Sequence, residues 1–174
     1  MIFLFYSKRS LALTFLVTVL AGVCMHFLYS SFPNPITALF APVNESLWEH
    51  CKLVFWPGLA AALWLTQGRP GALRPWLLLL PVQCALLLVL GYSYHILLGG
   101  EALWVDILIY LLVMLFGFAA APQFSGPFNG WKWFLPVLGS AALLFLLLVF
   151  TLYPPNHILF INLYGAPTWQ TLPC

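Results

Sequence analysis

The sequence predicts an all-α polytopic membrane protein: a bundle of five transmembrane helices with the N-terminus inside and the C-terminus outside. The first observation behind this is compositional. Of 174 residues, 63% are hydrophobic and 6% are charged, with a mean hydropathy of +1.00. A soluble domain carries about a quarter charged residues, and six basic plus four acidic side chains cannot cover a globule of this size in water. The second observation is that uncharged apolar stretches of roughly 20 residues, enough to cross the hydrocarbon, lie between turn signals. The third is the placement of Lys and Arg on alternate connections.

The whole chain, 1–174, reads as a single transmembrane domain, with helices over 10–29, 47–66, 75–98, 102–121 and 131–152. The first stretch is interrupted only by His26 and stops where Pro33 and Pro35 prevent continuation. Its length exceeds the core of a cleaved signal, and Val23 before Cys24 is not the small residue of a lipoprotein cleavage site, so an uncleaved helix is expected. The second stretch contains Pro57-Gly58, a kink candidate filled by the ring of Trp56, and ends at Gln67-Gly68-Arg69-Pro70-Gly71. Pro75 suits the first turn of the third helix and Gly99-Gly100 its end. The fourth ends at Pro122, and the fifth runs from Trp131 to the Tyr153-Pro154-Pro155 stop. Gly58 with Ala62, and Gly117 with Ala121, are the small pairs expected to let helices approach.

Lys8, Arg9, Arg69, Arg74 and Lys132 all fall inside in this topology, and Lys52 alone falls outside. Trp64, Trp76, Trp131 and Trp133 then mark the inner boundary, Trp48 and Trp104 the outer, and Trp169 the outer tail. The segments 30–46 and 153–174 are rich in Pro and aromatics and too short to span. They are expected to lie at the outer interface or to fold back as lids, with Ile158-Leu159-Phe160-Ile161 to bury.

No cluster exceeds two basic residues, which excludes a nucleic-acid surface; the lipid bilayer is the expected partner, with a membrane protein or a second copy as further candidates. Cys24, Cys51, Cys84 and Cys174 show no zinc or redox spacing and read as buried small hydrophobes. Cys51 and Cys174 share the outer face, which leaves a disulfide open. Phosphate-loop, Gly-x-Ser-x-Gly and voltage-sensor patterns are absent.

The acids and histidines were not used to set the topology, yet all eight fall in the outer half. At about 1.5 Å per residue, His26 and Asp106 lie about 6 Å below the outer boundary, with Glu49, His50 and His95 near it. Ionisable groups in lipid are costly and face a partner or a wet cavity. In Asn44-Glu45-Ser46-Leu47-Trp48-Glu49-His50, Asn44 reads as the N-cap, and Glu45 and Glu49 stack on one helical face. Lys52 stands three residues beyond Glu49, placed to pair with it. Ser46 reads as a local hydrogen-bonding residue rather than a nucleophile.

Imidazole and carboxylate are the usual ligands of zinc and similar ions. His26, His50, His95 and Glu45 are therefore candidate ligands of a divalent metal such as zinc. Glu49 is the candidate general base, and Asp106 the residue that orients a ligand. This reading implies hydrolysis or transfer on a lipid or peptide. The alternative is a non-enzymatic transporter or accessory subunit in which the same residues relay protons or anchor a partner. Glu101 and His157 read as a loop acid and a tail residue.

The Asn44–His50 element resembles the domain-of-unknown-function 6512 family of small bacterial multi-pass membrane proteins. The likeness extends to His26, Asn34-Pro35-Ile36, Asp106, Tyr153-Pro154-Pro155, Leu159-Phe160 and Tyr164-Gly165. It implies a bacterial cytoplasmic-membrane protein and supplies no activity. The sequence departs from the family at Ile161-Asn162-Leu163, where an acid is expected, which argues against a ligand from the tail.

Overall fold

Apolar runs bounded by turn chemistry become helices, and in the computed structural model, which describes residues 6–163, no strand occurs among the described residues. The order is α1 (Lys8–His26), α2 (Leu28–Ser31), α3 (Pro35–Phe40), α4 (Leu47–Leu65), α5 (Leu73–Tyr92), α6 (Leu103–Ala120) and α7 (Leu135–Leu152). A π-turn, Ser93–Leu97, extends α5, and short 3-10 turns flank α5, α6 and α7. Among the described residues, four segments are long and apolar enough to cross a membrane: Lys8–His26, Leu73–Leu97, Leu103–Gln123 and Trp131–Leu152.

The ends follow local chemistry. Ser7 caps α1 by accepting from the Ser10 N–H. The helix ends at His26 rather than near Tyr29, because the chain turns at Phe27 before the single turn of α2. The prolines act one step later: Phe32, before Pro33, leaves the helical region at ψ 71°. Asn34 and Thr37 then form a reciprocal capping box with Pro35 in the first turn of α3. The segment expected to lie at the outer interface or to fold back as a lid is therefore partly helical. At the far end of α5, Gly99 adopts φ +67°, and any side chain at Gly100 would collide with the Tyr94 ring.

α4 is the centre of the bundle. Val54, Phe55, Ala61 and Ala62 are buried, and the helix packs on α1 to one side and α5 to the other. Its glycine does what the small-residue expectation requires: Leu80 of α5 closes on Gly58 so tightly that a Cβ would lie 2.8 Å from it. Gly22 of α1 is likewise covered by Tyr110 of α6, whose hydroxyl donates to the Val19 carbonyl at 3.3 Å. Gly117, however, faces the buried Gln83, which donates to the Val113 carbonyl at 3.0 Å.

Two tryptophans depart from the expected belt, and a third does more than fill the Pro57-Gly58 kink. Trp48 is buried in a ring cluster with Phe150 (5.4 Å) and Phe160 (5.2 Å). Trp76 is buried and donates to the Tyr6 hydroxyl at 3.2 Å. Trp56 does not simply fill a kink; its indole N–H donates to the Leu39 carbonyl at 3.1 Å and so ties α4 to α3. Cys51 and Cys84 are buried free thiols facing each other's carbonyls at 3.9 and 3.7 Å. Cys174, the partner considered for Cys51, lies outside the described residues, as do Trp169 and Tyr164-Gly165.

Candidate functional site

The approach to α4 places the first candidate ligand. Asn44 is not the N-cap: its side chain accepts from the Ser46 N–H at 3.0 Å and folds the chain into an Asx turn. Ser46 is the cap, accepting from the Glu49 N–H at 3.3 Å, in keeping with the local role expected for it. Glu45 is thereby left outside the helix and does not stack on Glu49. It turns instead toward α1, where Oε2 lies 3.4 Å from His26 Nε2, and toward α4, where it lies 3.3 Å from His50 Nε2. The two imidazoles face each other with ring centroids 5.3 Å apart.

These are the three side chains among the described residues that could hold a metal ion together, with ligand atoms all within 4.8 Å of one another. Their side chains are 31%, 35% and 22% exposed for His26, Glu45 and His50, so the group is reachable from outside the bundle. His50 is oriented from behind: Nδ1 lies 2.7 Å from the Ser46 carbonyl. A carbonyl only accepts, so Nδ1 carries the hydrogen and Nε2 is the nitrogen turned toward Glu45. Hydrogen bonding by His26, and next by His50, holds the Glu45 carboxyl well below the usual carboxylate range, so it is ionised at neutral pH.

The other candidates separate from this group. His95, in the π-turn, directs Nε2 at Asp106 Oδ1 (2.7 Å) and Nδ1 at the Gly100 carbonyl (2.8 Å), leaving no ring nitrogen free for a metal. Asp106, expected to orient a metal ligand, lies instead against an imidazole that stands apart from the His26–Glu45–His50 group. Glu49 is buried and engaged: Oε2 accepts from Lys52 Nζ at 2.6 Å and from the Val43 N–H at 2.9 Å, and Oε1 accepts from Thr151 Oγ1 at 3.3 Å. Lys52, fully buried, also donates to the carbonyls of Ala38 (2.7 Å) and Ala41 (3.3 Å) at the end of α3. The expected Glu49–Lys52 pair is present, and it clasps the 38–43 segment to α4.

The tail folds back on the same end. Phe160 packs on Trp48 and Phe150, and the Leu163 N–H donates to the Glu45 carbonyl at 3.0 Å. Sequence reasoning missed Leu163, because a backbone donor leaves no trace in residue identity. It also missed Thr151, which looks like any polar residue near a helix end.

An all-α chain with four membrane-length helices and a histidine–carboxylate group at one end is, as a class, a multi-helix protein suited to a membrane. It belongs to a family of unknown function (DUF6512), matched over residues 4–165. No curated protein and no solved structure matches it.

Proposed function

We propose that this is a five-span protein of the bacterial cytoplasmic membrane, N-terminus inside and C-terminus outside, whose outer end binds one divalent metal ion on His26, Glu45 and His50. The observation that carries the reading is a distance. Tetrahedral zinc with bonds of about 2.0–2.1 Å has ligand atoms about 3.3 Å apart, and Glu45 Oε2 lies 3.3 and 3.4 Å from the two imidazole nitrogens. Three protein ligands and partial exposure suit a site with an open fourth position. A metal there would polarise a carbonyl or phosphoryl oxygen and activate water, which is the chemistry of hydrolysis or transfer on a lipid or peptide.

Glu49 takes no part as a base in this proposal, since both its oxygens are engaged, and His95 is not a ligand. The His95–Asp106 pair favours a second, non-enzymatic reading as a transporter or accessory subunit. Both ring nitrogens face acceptors, so the pair retains a proton that a relay could pass on.

Elemental analysis of protein purified in detergent without chelators tests the first reading. Wild type is expected to carry about one zinc or manganese ion per chain, the stoichiometry of a single three-ligand site. His26→Ala, His50→Ala and Glu45→Gln should lose it, and Asp106→Ala should keep it. A metal-free wild type retires the metal reading and leaves the relay.

A further inference from the structure

We infer that the segment after α7 is a strap that positions Glu45 for coordination, an inference that rests on the reading of His26, Glu45 and His50 as a metal site. Glu45 is the one member of that group not carried on a long helix; His26 ends α1 and His50 stands in the first turns of α4. Its neighbours are secured from α4's own side, Val43 by the Glu49 carboxylate and Ser46 by Asn44. Glu45 itself is held from across the bundle, by the Leu163 N–H on its carbonyl.

The donor is placed by a chain of local causes. Tyr153, before Pro154, leaves the helical region at ψ 69° and ends α7. His157 Nδ1 then accepts from the Leu159 N–H at 3.3 Å and starts a 3-10 turn over Ile158–Phe160. That turn seats Phe160 against Phe150 at 5.3 Å and Trp48 at 5.2 Å. Trp48 lies three residues beyond Glu45, so the anchor and the hydrogen bond grip the same short stretch of chain. The bond is made by backbone atoms, so the side chain at 163 is free to vary while proline is not.

The full-length chain in detergent, carrying Leu163→Pro, Leu163→Ala or Phe160→Ala, tests this through two readouts: zinc affinity, and amide exchange over residues 41–46. Partners that orient a metal ligand are typically worth 10–100-fold in affinity. Leu163→Pro is therefore expected to weaken zinc binding by about tenfold or more and to speed exchange over 41–46. Phe160→Ala should do the same in part. Leu163→Ala keeps the N–H and should match wild type in both. The strap is overturned, with the metal site intact, if Leu163→Pro binds zinc as wild type does or if Leu163→Ala is as damaging. If wild type binds no zinc, the site reading fails and the positioning role falls with it, whatever the exchange shows.

Discussion

Glu45 Oε2 is shared by two imidazoles, and that sharing decides how the site answers to acid. A carboxyl held below its ordinary value of 4.5 adds stability that is fully present above 4.5 and drains away as pH falls through the depressed folded value. Metal binding answers to acid separately, because an imidazole ligates only through an unprotonated nitrogen and protons compete with the ion for it. Zinc affinity should therefore fall on acidification. The difference in melting temperature between metal-free wild type and Glu45→Gln should persist at pH 5 and shrink only below 4.5. Zinc titrations and thermal melts across pH check the two parts; a carboxylate contribution lost already at pH 6 would contradict the assignment. At this scale the sequence was legible to the level of a layer. Depth arithmetic brought five ionisable residues together, but sorting them, with Glu45 and Lys52, into a triad, a His95–Asp106 pair and a Glu49–Lys52 clasp depended on the cap. A two-residue shift of the cap, from Asn44 to Ser46, turns Glu45 off the helix face and onto His26.

Among the elements, α3 is held to α4 by a buried charge pair, and such pairs behave asymmetrically when cut. Removing one partner strands the other charge and costs about 3–5 kcal/mol, whereas replacing both by apolar or neutral groups of similar shape is often nearly neutral. Lys52→Met additionally strips donors from the Ala38 and Ala41 carbonyls, adding about 1–3 kcal/mol for each one left unsatisfied. The expected order of melting temperature in detergent is wild type, then the Glu49→Gln/Lys52→Met double variant, then Lys52→Met lowest. A double variant no better than Lys52→Met would mean that the carbonyl contacts, not the charge balance, hold α3. The three-residue spacing of Glu49 and Lys52 made the pair legible. Its job as the clasp of α3 was not, because the capping box that builds α3 sits in a stretch whose aromatics and prolines read as an interfacial segment.

For the whole molecule the open matter is α4. The sequence placed five helices, and five long helices stand there with ends shifted by a few residues. Among the described residues, only four segments have the length and hydropathy of a membrane span. The reason is in α4's surroundings: Glu49, His50 and Lys52 lie in its first two turns, and Glu49 and Lys52 are buried against protein rather than lipid. Hydropathy counts what a helix is made of, whereas a central helix answers to its neighbours, and α4 packs on both α1 and α5. Parity turns this into a measurement. Five spans put the termini on opposite sides of the membrane, while four put them on the same side. Reporter fusions at the N-terminus, in the Ser125–Gly130 connection and at the C-terminus should read inside, inside and outside in turn. The first two are expected inside because Lys8, Arg9, Arg74 and Lys132 flank them. A C-terminal fusion that reads inside would remove α4 from the spans. It would also contradict the Leu163–Glu45 hydrogen bond, because with four spans the end of α7 would lie across the membrane from the end of α1, where His26 stands.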